Sequence, residues 1–158
     1  MKRIVPFLIA IFISTASSAQ IITKIEGLMY KPGSAIKIDR KYIGTYQQLQ
    51  LAKITVEDLV TKQKASGVEM TALYSDKSVN GFVDSDELPA LIKILEIFRD
   101  NRISITNSTS YYFSSKGGIK AEFTLEDKNP VAMISIRGIP TPLTNGDDVL
   151  RLLYGLQK

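Results

Sequence analysis

The sequence predicts an α+β fold: a single domain in which about seven mostly antiparallel strands form a curved sheet, with two helices on one face and the groups ordered β-α-β-α. Three observations predict it. Apolar and polar residues alternate with period two in several short runs, most cleanly from Ile119 to Glu126. Turns bearing Pro or Gly, Lys31-Pro32-Gly33-Ser34 and Lys116-Gly117-Gly118, join such runs through too few residues for a parallel crossover. Two longer stretches, Asp84 to Asn101 and Thr144 to Lys158, carry apolar residues at helical spacing instead.

The chain opens with MKRIVPFLIAIFISTASSAQ, in which Lys2 and Arg3 precede an apolar run from Ile4 to Ile13 and a small-residue stretch ending at Ala19. This is the pattern of a secretory signal peptide, residues 1–19, cut before Gln20. The apolar run stops at Ser14 and Thr15, short of the roughly 20 residues that span a bilayer. Export to a periplasmic or extracellular location is therefore expected, with residues 20–158 as the mature domain. No later run is long enough for a membrane span. With no Cys, no disulfide can hold the exported fold, so packing must.

Ile21 to Tyr46 suggests an opening hairpin through the turn at Lys31 to Ser34, where Gly33 supplies a positive φ. Ile36, Ile38 and Tyr42 share a parity that Arg40 interrupts. From Leu49 to Thr61 the parity switches: Leu49 and Leu51 fall on one side, Ile54, Val56 and Val60 on the other, which a bulge near Ala52 would reconcile, although the first half of the stretch reads equally as a helical turn. Lys62 to Gly67 is a polar connection into Val68 to Ser75, where Val68, Met70, Ala72 and Tyr74 alternate with Glu69 and Thr71.

In the first helix Leu88, Leu91, Ile92, Leu95 and Phe98 form a stripe that Ile94 and Ile97 widen, so the helix should be substantially buried. Ser85 or Asp86 is the expected N-cap, and Pro89 is tolerated because it falls in the first turn. Next come strands at Thr109 to Ser115, Ile119 to Glu126 and Val131 to Arg137, with Tyr111 and Phe113 facing the core and Tyr112 the surface. Val149, Leu152, Leu153 and Leu156 mark the closing helix.

Composition removes more chemistry than it offers. The formal net charge is +4, of which Lys2 and Arg3 supply two, and no basic cluster accompanies it, so a nucleic-acid partner is not expected. The absence of His and Cys eliminates Ser-His-Asp and Cys-His catalysis, thiolate redox chemistry and zinc sites built from imidazole or thiolate. Ser34-Ala35-Ile36-Lys37 has the spacing of a Ser-x-x-Lys nucleophile pair, but on a strand the two side chains face opposite ways. Asp84 and Glu87 are the densest carboxylate pair, yet acids also gather at a helix start for electrostatic reasons. Asn107-Ser108-Thr109 is a glycosylation sequon.

One segment, Asp76 to Glu87, has oxygen-bearing side chains at alternate positions. Asp76, Ser78 and Asn80 come first, Gly81 follows, then Phe82 and Asp84, and Glu87 closes. It resembles the twelve-residue calcium loop of EF-hand proteins and the related loop of dockerin modules. That resemblance implies a calcium site in which Asp76, Ser78, Asn80, Asp84 and Glu87 ligate through side chains and Phe82 through its carbonyl. The chain departs from the pattern in having Ser75 before the first ligand and a strand, not a helix, leading in. The same residues also read as a strand followed by a capped helix start.

The expected function is a small exported, non-enzymatic binding or structural module that contacts another protein or an envelope component through a sheet face or strand edge. No cofactor is expected unless the loop holds calcium. The alternatives are a calcium-binding module using residues 76–87 and a carrier that encloses an apolar small molecule between the sheet and the Leu88 to Phe98 helix.

Overall fold

The computed structural model describes residues 22–74, 76–100, 110–126, 129–143, 150–151 and 153–155. The expected signal peptide and the Asn107 sequon lie outside the described residues. The class is α+β, as the periodicities predict, but the strands form two four-stranded antiparallel sheets rather than one curved sheet. The first contains β1 (Ile36–Tyr46), β2 (Leu49–Asp58), β3 (Lys64–Tyr74) and β4 (Lys77–Asp84) in sequential order. The second contains β5 (Tyr111–Ser114), β6 (Ile119–Glu126), β7 (Asn129–Ile136) and β8 (Ile139–Leu143), also sequential. Both are meanders because the connecting turns are short.

A helix, α1 (Lys24–Met29), stands where an opening strand was expected. The Thr23 hydroxyl accepts the Glu26 N–H at 3.0 Å while the Glu26 carboxylate accepts the Thr23 N–H at 3.3 Å, a capping box that ends the extended chain. The turn at Lys31 to Ser34 therefore joins a helix to β1, with Gly33 at φ +72°.

The parity switch in β2 is real and involves no bulge in that strand. β2 pairs with β3 without a shift from Leu49 opposite Ala72 to Glu57 opposite Lys64, and the irregularity sits in β1 between Tyr42 and Gly44. The two ends of β2 bury opposite faces. Leu49 and Leu51 join a core with Val68, Met70, Leu91, Leu95 and the second sheet, whereas Ile54 and Val56 pack with Ala65, Phe82 and Ile25 beneath α1.

The linking helix, α2, runs Leu88–Asp100 rather than from Asp84, because residues 85–87 form a turn. Glu87, not Ser85 or Asp86, takes the N-cap position: its carbonyl accepts the Leu91 N–H, and its carboxylate folds back to the Asp84 N–H at 3.2 Å. Leu91 and Leu95 are fully buried, and Phe98 stacks on Phe123 with centroids 4.9 Å apart. The expected outward Tyr112 is exposed and Phe113 is buried.

The eighth strand, β8, was not expected because it holds Pro140 and Pro142; it lies at a sheet edge, where missing N–H groups cost least. Its hairpin turns on Arg137 and Gly138, both at positive φ (+48° and +86°). Of the closing helix, Leu150, Arg151, Leu153 and Tyr154 are described and helical, with Leu150 and Leu153 buried.

The sheets meet along β4. The Phe82 N–H donates to the Gly117 carbonyl and the Ser115 hydroxyl to the Phe82 carbonyl. A Cβ on Gly81 would lie 2.7 Å from Ile119 Cγ1 and 3.0 Å from Ile136 Cγ2, so only glycine admits this approach.

Candidate functional site

The first sheet has one face that the described chain leaves partly open. Side chains directly opposite in antiparallel strands share a face, so Tyr42, Ala52, Glu69 and Phe82 form one row across it, with Gln50, Thr71 and Asn80 in the next. α1 covers one end through Ile25. Beyond it lie two adjoining grooves of about 470 and 690 Å³, both lined by Arg40, Glu69, Ser78 and Asn80. Exposed Tyr42 and Leu73 border the first groove, and Tyr30 the second.

Glu69 is the centre of this face. Only 5% of it is accessible, although it alternates with core residues on a strand whose other face is apolar. Arg40 Nε donates to Glu69 Oε2 at 2.6 Å and Asn80 Nδ2 donates to Oε1 at 3.0 Å. A buried carboxylate needs such partners, since desolvating an unpaired charge is costly. A second pair adjoins it: Arg137 reaches from the β7–β8 turn to pair with buried Glu26 of α1, and its Nε donates to the Asn80 carbonyl at 2.8 Å. The grooves therefore have charged groups that are already matched, with Gln50, Thr71 and Ser78 offering neutral donors and acceptors. Arg40 remains about half exposed, at 45%.

The residues of the calcium-loop resemblance are strung along an extended strand. Asp76 lies in the turn between β3 and β4, Ser78, Asn80, Phe82 and Asp84 lie on one face of β4, and Glu87 precedes α2. At about 3.3 Å per residue, Ser78 and Asp84 stand roughly 20 Å apart. A calcium coordination shell is only about 5 Å across. Among the described residues no group of three or more acidic residues is placed to hold a metal ion.

These side chains have other partners. Asp84 accepts the N–H groups of Lys24 (2.7 Å) and Ile25 (3.2 Å), fastening the N-terminus of α1 to β4. Glu87 also accepts the Lys116 N–H at 3.2 Å, and Asp86 pairs with Lys24, which lowers the Asp86 pKa and raises that of Lys24. The Asp84 carboxylate is thus spent on the start of α1, and the Glu87 carboxylate on the end of β4 and the β5–β6 turn, rather than both being aimed at a common cleft. Ser34 and Lys37 part in the same way: the hydroxyl goes to Asp58 and the ammonium to Asp39.

Sequence reasoning did not find the Arg40–Glu69–Asn80 group. The available signal was Arg40 itself, a charge inside the apolar parity of Ile36, Ile38 and Tyr42. Comparison of the chain with known protein families, curated proteins and solved structures finds no match. Among the described residues no helix is long and apolar enough to cross a membrane.

Proposed function

We propose that this chain is an exported, non-enzymatic binding module that holds another protein or an envelope component against the open face of its first sheet. The observation that carries the reading is the Arg40–Glu69–Asn80 group, a satisfied polar cluster on the floor of a groove that no described segment covers. Polar groups matched in advance avoid the desolvation penalty a partner would otherwise meet, while exposed Tyr42 offers the kind of amphipathic surface that interfaces favour. The non-enzymatic part rests on chemistry: the groove's carboxylate is engaged by Arg40 and Asn80, and the sequence has neither His nor Cys to act beside it.

The test is site-specific photocrosslinking in the native envelope. A photoreactive residue at Gln50 or Thr71, in the groove, should give a discrete adduct, and the same residue at Tyr112, on the second sheet, should not. Adducts equally strong at Tyr112, or none from either groove position, would sink the proposal.

A further inference from the structure

The turn between β2 and β3 departs from ordinary turn chemistry. Such turns draw on Gly, Asn, Asp and Ser, yet this one runs Leu59-Val60-Thr61-Lys62-Gln63, with Lys62 at φ +61°. Leu59 is 43% and Val60 71% exposed, so neither contributes much to a core.

What holds the turn is Asp58, whose fully buried carboxylate gathers two loops. Oδ1 accepts the N–H groups of Val60 (2.9 Å) and Thr61 (3.2 Å); Oδ2 accepts from the Thr61 hydroxyl (2.7 Å), Lys31 Nζ (2.8 Å) and the Ser34 hydroxyl (3.3 Å). The Leu59 N–H adds a bond to the Ala35 carbonyl at 2.8 Å. The two aliphatic side chains are thereby presented on a braced tip. Lys62 projects from the same turn with no acidic partner among the described residues. Lys31 and Lys64 flank it, satisfying Asp58 and Glu57. An apolar tip with an exposed cation, on an end where Lys31 and Lys64 pair the acids Asp58 and Glu57, is complementary to an apolar layer beneath negative headgroups.

We propose that the Leu59–Val60 turn is a docking tip for an anionic lipid surface, with Leu59 and Val60 entering the headgroup–acyl boundary and Lys62 contacting lipid phosphate. None of its residues lines either groove, so the tip can dock whatever the grooves bind.

The test uses the chain from Gln20, which contains every residue of the described fold, in co-sedimentation with phosphatidylcholine vesicles with and without about one-quarter phosphatidylglycerol. Binding to the anionic vesicles should exceed binding to the neutral ones about tenfold and should weaken as salt is raised. Val60→Asp and Lys62→Glu should each lower it about tenfold. Tyr42→Ala, in the groove, should leave it unchanged. Circular dichroism confirms folding, and Val60→Ser serves in place of Val60→Asp should that variant not fold. Absent binding, equal binding to neutral vesicles, or binding that survives the turn substitutions would each overturn the proposal.

Discussion

Gly67→Ala should damage this protein far more than a single methyl group suggests. Gly67 lies in the row Arg40, Ile54, Gly67, Asp84, and the gap it leaves is where α1 sits. A Cβ there would stand 2.0 Å from the Val83 carbonyl oxygen and 2.9 Å from Ile25 Cδ1. The first is backbone of the neighbouring strand and cannot rotate away, so β3 and β4 must shift apart there, and the second requires α1 to lift. Lifting α1 exposes Ile25, now fully buried, at about 1.5–3 kcal/mol. It also weakens the two bonds from Asp84 to the helix N-terminus, each worth about 1.5 kcal/mol or more. The expected loss is about 3–5 kcal/mol, or roughly 10–15 °C in Tm for a chain of this size. The internal control is Gly27→Ala in α1, whose Cβ would meet only Ile22 Cδ1 at 3.7 Å. That substitution should stabilise by about 0.5–1 kcal/mol through helix propensity. Thermal melts of the two variants beside the parent decide the matter. A Gly67→Ala midpoint within about 1 kcal/mol of the parent, or equal losses in both variants, would refute the seating of α1 described above.

The Asp58 carboxyl is held well below the usual carboxylate range, first by the hydrogen bond from Lys31 and then by that from Thr61. Because the folded pKa is lowered, its contribution is complete above the unfolded value of about 4 and drains away as pH falls toward the folded one. Urea midpoints should therefore separate parent from Asp58→Asn widely at neutral pH and converge on acidification below that value; a constant gap would contradict this. Arg40→Ala should cost about 1–3 kcal/mol, because it leaves the buried Glu69 carboxylate without its cationic partner, and should abolish the groove photoadduct. A large stability loss with the adduct retained would place Arg40 in the scaffold instead. Millimolar calcium should leave the melting temperature unchanged relative to chelator, because residues 76–87 span a strand and a turn. A rise that Glu87→Gln removes would mean that this segment refolds around the ion.

Legibility in the sequence followed the range of the interaction that fixes each element. The alternation from Ile119 to Glu126 gave β6 with its bounds, and the stripe from Leu88 to Phe98 gave a buried α2, because both patterns are local and repeat several times. α1 was missed because six residues hold under two helical turns, too few for a period to show, and Ile21, Ile22 and Ile25 favour strand locally. Its one local mark, Thr23 followed by Glu26, is a capping box whose force is plain only once Asp84 is seen to clamp the same helix start. The candidate groove was less legible still. Arg40 and Glu69 are 29 residues apart, and Glu69 has the sequence signature of an exposed strand residue.

By itself the sequence determined the antiparallel α+β class, the positions of most strands and turns, and the exclusion of imidazole and thiolate chemistry, since each follows from residue identity and near-neighbour spacing. Only the tertiary structure decided that the strands divide into two sheets, that β2 buries opposite faces at its two ends, and that the Asp84 carboxylate caps α1 while that of Glu87 ties the end of β4 to the β5–β6 turn. Parity along a strand tells which side chains point together, but not which partner lies over them. That depends on contacts between residues tens of positions apart, such as Gly81 against Ile119 and Ile136 or Ile25 over Gly67, which exist only once the chain has closed on itself.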